Sequence, residues 1–105
     1  MKFKEEIPGV SKSVLWGDPT KGKYATITKF VKGTRNALHT HSHDIRIVVI
    51  SGTLLYNSGS SEKRLGPGSY LLQPRGVRHT SGASDDADCI FLEESDGPFD
   101  LKMVK

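Results

Sequence analysis

A single cysteine, Cys89, is the only thiol in this 105-residue chain. One cysteine excludes an internal disulfide. Its setting, Asp88-Cys89-Ile90-Phe91-Leu92, reads as a small buried hydrophobe in an apolar strand rather than a reactive thiol. Long hydrophobic runs are missing too, and nothing approaches the ~20 apolar residues of a membrane-spanning helix. The segment Met1-Lys2-Phe3-Lys4-Glu5-Glu6 has no apolar core and no cleavage pattern, so a secretory signal is not expected and the cytoplasm is the expected compartment. Aromatics are scarce, at 8%, and no basic cluster interleaves with them, which counts against nucleic acid as a partner. No segment sustains apolar residues at i, i+3, i+4, so no core helix is expected, and at most one short helical turn near the N-terminus.

Turn formers and short apolar runs are what the chain has instead. With 11 glycines and 5 prolines, turns recur throughout. Strand-like runs rich in Val, Ile, Thr, Tyr and Leu fall between them at 13–16, 24–31, 45–50, 53–56, 69–73, 88–93 and 99–104. The stretch Asn57 to Ser61 reads as a loop. Many short, evenly spaced strands imply an all-β sandwich or barrel. The length suits one core, so residues 1–105 are expected to form a single domain. The net charge of +3 conceals an asymmetry. Basic residues crowd the chain up to Arg35 and acidic ones crowd it from Asp85 onward, so the two ends would partly neutralise each other as neighbouring strands.

All four histidines lie in two short segments. His39-Thr40-His41 places two imidazoles two residues apart, which on a strand point to one face. His79 closes the second segment, Gly68 to His79. Three neutral imidazoles converging from two strands would hold zinc, iron, nickel, manganese or copper. His43 continues the alternation and Asp44 follows it. Either is a candidate fourth ligand or a group at the rim that supports the three.

These two segments resemble the paired motifs of the cupin superfamily. Gly33, His39, His41 and Gly52 fall in register with the first motif, spanning about 33–52. Gly68, Pro74, Gly76 and His79 fall in register with the second, spanning about 68–83. Two positions depart from the pattern. Ile45 stands where the first motif has glutamate, and Ala83 where the second has asparagine. Arg46, beside the glutamate slot, has no lone pair to offer a metal. Further segments around Trp16-Gly17-Asp18-Pro19 and Gly97-Pro98-Phe99-Asp100 are similar to small bacterial cupins and, through them, to the cupin domain of ChrR-type anti-sigma factors. The resemblance implies a cupin-type antiparallel β-barrel, the double-stranded β-helix or jelly roll.

Strand parity then places Ile45, Ile47 and Val49 in the pocket with the histidines, and Arg46, Val48 and Ile50 outside. Gln73, Tyr24 and Tyr70 are candidate contacts at the pocket mouth. Exposed Val48, Ile50 and Trp16 suggest a homodimer. With Ile45 replacing glutamate, the three-histidine site is neutral and leaves a metal its full charge, favouring a small, oxygen-chelating ligand. The resemblance to three-histidine cupin dioxygenases implies a non-haem Fe(II) dioxygenase. The alternative is a non-catalytic binding or sensing module in which a metal fixes ligand or fold. No catalytic residue is assigned, and no carboxylate is expected in the cavity.

Overall fold

A computed structural model describes residues 1–59 and 61–104; Ser60, in the expected Asn57–Ser61 loop, and Lys105 lie outside the described residues. Among the described residues there is no helix. Eleven strands among the described residues form two antiparallel sheets. The larger contains β1 (Lys4–Ile7), β2 (Val10–Gly17), β3 (Tyr24–Phe30), β5 (Ile45–Ser51), β8 (Tyr70–Gln73) and β10 (Cys89–Ser95), in the order β1-β2-β3-β10-β5-β8. The smaller contains β4 (Arg35–Thr40), β6 (Leu54–Asn57), β7 (Lys63–Leu65), β9 (His79–Ala83) and β11 (Lys102–Met103), in the order β11-β4-β9-β6-β7. From β3 onward the chain crosses repeatedly from one sheet to the other, so the inner faces of both sheets are built from the whole sequence.

Period-two alternation decides which residues fill the space between the sheets. In β5, Ile45, Ile47 and Val49 are buried, while Val48 and Ile50 are exposed. In β10, Cys89, Phe91, Glu93 and Ser95 are buried. Val10, Phe30, Leu54 and Ala83 complete the apolar core. Each large side chain here contributes about 1.5–3 kcal/mol by leaving water. Phe30 and Phe91 meet edge to face, with centroids 5.0 Å apart. Burial also pushes the Cys89 thiol up to about 11, which leaves it protonated at neutral pH.

Turn chemistry fixes the register. Gly52 sits at φ 76°, and a Cβ there would come within 2.1 Å of the Asp88 carbonyl oxygen. Only glycine satisfies both conditions. The N-terminus, where at most one short helical turn was allowed for, holds a β1–β2 hairpin. Pro8-Gly9 explains it, since this dipeptide favours a tight turn between paired strands. The expected strand at 99–104 contracts to Lys102–Met103. Ahead of it the backbone bonds elsewhere: Phe99 N–H donates to the Pro19 carbonyl at 2.8 Å.

The charge asymmetry resolves into ion pairs between the early basic and late acidic segments. Lys12 pairs with Glu93 at 3.1 Å, Lys29 with Asp88 at 3.5 Å and Arg35 with Asp85 at 3.2 Å. The outer face of the larger sheet carries a row of apolar side chains in register, Ile27–Leu92–Val48–Tyr70, across β3, β10, β5 and β8.

Candidate metal centre

The three histidines meet between the sheets. His39 is the next-to-last residue of β4 and lies directly opposite His79 on β9, while His41 follows immediately after β4. All three are buried, and their candidate ligand nitrogens lie within 4.8 Å of one another. Ring centroids are 4.3 Å apart for His39 and His79, 4.9 Å for His39 and His41, and 5.1 Å for His41 and His79.

Hydrogen bonding fixes the tautomer of each ring. His39 Nδ1 bonds the Ala37 carbonyl at 2.6 Å, His41 Nδ1 the Asp100 carbonyl at 2.7 Å, and His79 Nδ1 the Val77 carbonyl at 3.2 Å. A carbonyl oxygen only accepts, so each Nδ1 carries the proton and donates it. In a neutral ring held this way, Nε2 is the nitrogen that keeps its lone pair. Carbonyl partners of this kind orient metal-binding imidazoles and set their basicity. His79 Nε2 is buried with no hydrogen-bond partner among the described residues. A buried polar atom left alone costs about 1–3 kcal/mol, and a metal ion would satisfy it. Burial holds the His41 imidazole below its ordinary pKa. It pushes His79 down to about 4, with the neighbouring His39 adding to the effect. Both rings are then neutral at pH 7, as ligands must be. The three residues fit a divalent transition metal.

Local structure explains the aim of each ring. The turn after Pro74 returns Gly76 N–H to the His41 carbonyl at 2.9 Å, tying the second histidine segment to the first. Asp100 clamps the same place from the C-terminal segment. Its Oδ1 accepts from Ser42 N–H at 2.8 Å, and its Oδ2 accepts from the Ser42 hydroxyl. Tyr56 covers His79 from the far side, ring centroids 5.1 Å apart.

His39 and His41 open onto a cavity of about 390 Å³ between the sheets. Ile45, Ile47 and Gln73 line it, together with Val10, Phe30, Phe91 and Phe99. Val49 is buried in the core but is not part of the cavity wall. Tyr70, expected at the mouth, is 61% exposed and faces outward opposite Val48. It is three residues from Gln73, and an odd spacing on a strand puts two side chains on opposite faces. Tyr24 is fully buried behind the cavity wall instead of at the mouth, and its hydroxyl donates to Glu93. His43 and Asp44 stand apart from the trio. The His43 ring packs over Gly97, where an added Cβ would come within 2.6 Å of it. Asp44 Oδ1 accepts Arg75 N–H at 2.8 Å.

The cavity does hold a carboxylate, contrary to the sequence expectation. Glu93 lines it with Lys12 and Thr28, and accepts from both, at 3.1 Å and 3.0 Å. Parity was the available signal: Glu93 shares a face with Cys89 and Phe91, and Lys12 with Val10.

The fold recurs in solved structures. KdgF from Halomonas sp. superimposes with a TM-score of 0.75 at 22% identity, covering 91% of this chain and 88% of its own. The polyketide cyclase RemF from Streptomyces resistomycificus gives a TM-score of 0.79 at 19% identity, covering 92% and 72%. The Rhodobacter sphaeroides complex of SigE with the anti-sigma ChrR gives 0.74 at 21% identity, covering 91% of this chain and 49% of the matched one. No curated protein matches the sequence. Likenesses that include a cupin-like protein from Thermotoga maritima, at a TM-score of 0.75 and 24% identity over 91% of this chain and 78% of that one, give the chain a cupin-like fold, and a match over residues 3–105 shows that it belongs to the family described as a domain of unknown function, DUF4437.

Proposed function

We propose that this chain is a mononuclear metal-binding cupin, with His39, His41 and His79 holding one divalent ion of Fe, Zn, Ni, Mn or Cu. The cavity beside them takes a small molecule with two chelating oxygens. The observation that carries this reading is three buried histidines whose ligand nitrogens gather within 4.8 Å, each Nδ1 bonded to a carbonyl and the Nε2 of His79 buried without a partner. When bound, such a metal supplies Lewis acidity and open positions for oxygen donors. Ile45 and Ile47 give the cavity an apolar wall, which excludes water and strengthens polar contacts within it. His43 and Asp44 serve the frame of the site rather than the metal. Around the site, we propose that residues 1–105 act as one domain whose sheets are the halves of a jelly-roll barrel, cytoplasmic and homodimeric.

Two reactions fit such a centre. The neutral trio, with Ile45 in the glutamate slot, supports oxidative cleavage of a chelating dicarbonyl by a dioxygenase. Glu93, Lys12 and Tyr24 supply charged and protonated groups beside the cavity, which supports a redox-neutral lyase or cyclase reaction instead. RemF, a polyketide cyclase, shares the fold. Elemental analysis of untagged protein should find close to one transition metal per chain, lost in His39→Ala, His41→Ala and His79→Ala and kept in His43→Ala. Equal loss in all four variants would show the ligands wrongly assigned. Oxygen uptake by the Fe(II) form with β-diketones would mark the dioxygenase, and turnover without oxygen the redox-neutral enzyme. Tight binding with no turnover in either would mark a binding module.

A further inference from the structure

The cavity has a second polar pole away from the histidines. Lys12 and Glu93 are paired at 3.1 Å, their side chains 6% and 5% exposed. Burying such a pair costs desolvation energy, and apolar residues of equal volume commonly serve stability as well or better. Stability alone therefore does not account for it. Glu93 is fully engaged by Lys12, Tyr24 and Thr28. Burial alone would raise its carboxyl. The Lys12 charge and these donors outweigh that, and hold it below the usual carboxylate range.

Lys12 is less fully engaged. An ammonium has three N–H donors. Among the described residues, Glu93 is the one hydrogen-bond partner of Nζ. The Phe99 ring lies under Nζ, 3.6 Å to its centroid, and satisfies a further part of the charge. A donor remains for the cavity that Lys12 lines. Phe99 also measures the gap to the histidines, because its centroid is 5.6 Å from that of His41. The ammonium and the His41 ring are thus separated by no more than those two distances together, within the span of one small molecule.

Charge specifies the ligand. Lys12 and Glu93 cancel, and imidazoles that bind a metal through lone pairs add no charge. A divalent metal then adds two positive charges and Glu6, which also lines the cavity, one negative, so an anion would balance the site. We propose that Lys12 binds the carboxylate of a small anionic ligand, an enolisable dicarbonyl acid whose two other oxygens face the histidines. The chelating end rests on the metal reading above, and the Lys12 end rests on the geometry of the cavity alone.

Acetopyruvate, a β-diketone with a carboxylate, and acetylacetone, which lacks one, are the probes. Cobalt(II)-loaded protein reports their entry through its visible spectrum. Wild type should bind acetopyruvate more tightly than acetylacetone by roughly tenfold to a hundredfold, the effect of one charge-assisted hydrogen bond. Lys12→Met should abolish that preference while keeping cobalt content and acetylacetone affinity. An unchanged preference in the variant overturns the proposal. Should Lys12→Met fail to fold, Lys12→Met/Glu93→Gln, which removes both charges, is read in the same way. Failure to take up cobalt would refute the metal reading by itself. Calorimetry with acetopyruvate on metal-free protein then decides Lys12: binding lost in the variant supports it, and equal or absent binding in both proteins overturns it.

Discussion

Stripped of metal, the protein should lose stability between about pH 6.5 and 4, and His79 is the main reason. Its imidazole titrates near 6.5 in the unfolded chain and is pushed down to about 4 by burial in the folded one. Because the folded pKa is depressed, the stabilising difference is complete above 6.5 and is lost as pH falls through 4. At pH 5 nearly every unfolded chain has bound the proton, and about a tenth of folded chains have. The difference amounts to about 2 kcal/mol from this residue. His41, also depressed by burial, adds in the same direction. For a domain of this size, 2 kcal/mol lowers Tm by roughly 8–16 °C. The paired carboxylates do not confuse the measurement. Glu93 and Asp100 lie below their ordinary values, so their contributions are lost only at lower pH. Urea denaturation of chelator-treated protein at pH 7 and pH 5 measures the effect. In His79→Phe, which keeps a ring of similar size, most of the pH dependence should disappear. Metal should protect the wild type, since protons and metal compete for the same lone pairs. Equal midpoints at the two pH values would refute the reasoning, as would a pH dependence unchanged in His79→Phe.

Other substitutions separate the remaining features. Glu93→Gln leaves the Lys12 ammonium buried without its partner and should cost about 3–5 kcal/mol in urea denaturation, while Lys12→Met/Glu93→Gln should cost clearly less. A double variant as unstable as Glu93→Gln would show that packing, not charge, sets the cost. Gly52→Ala combines an unfavourable φ with a Cβ 2.1 Å from the Asp88 carbonyl oxygen and should destabilise by more than about 2 kcal/mol. Light scattering should give a dimer mass at micromolar concentration, and Val48→Lys, in the exposed apolar row of the larger sheet, should return it to a monomer; a wild-type monomer would remove the dimer.

The histidine trio was legible because spacing carries direction on a strand. His39 and His41 are two apart, and a matching segment supplied His79. The strands β3, β5 and β10 were legible for the same reason, since burial alternates along most of β5 and β10 and along β3 from Thr26 onward. β4 and β9 were harder to see. Arg35–Thr40 is mostly polar, and a bulge between Asn36 and His39 breaks its alternation. His79–Ala83 is built of small residues, and at Gly82 an added Cβ would come within 2.2 Å of the Thr34 carbonyl oxygen. That contact is long-range and leaves no local mark in sequence. Lys12 and Glu93 sit on inward-facing positions of their strands, yet charge suggests a solvated residue until a partner is known. That partner lies 81 positions away.

The three carbonyls that hold the imidazoles come from different parts of the chain. Ala37 and Val77 sit two residues before the rings they hold, but the Asp100 carbonyl reaches His41 across 59 positions. Letting the C-terminal segment lift away would free His41 Nδ1 and allow the ring to turn or change tautomer. A metal at Nε2 resists both. Metal occupancy and docking of that segment are therefore linked, and by reciprocity each strengthens the other. Amide exchange at Phe99 and Val104, whose N–H groups are pinned to Pro19 and Leu38, should slow on metal binding although neither residue is a ligand. The far end of the chain would then serve as a gauge of the ion between the sheets.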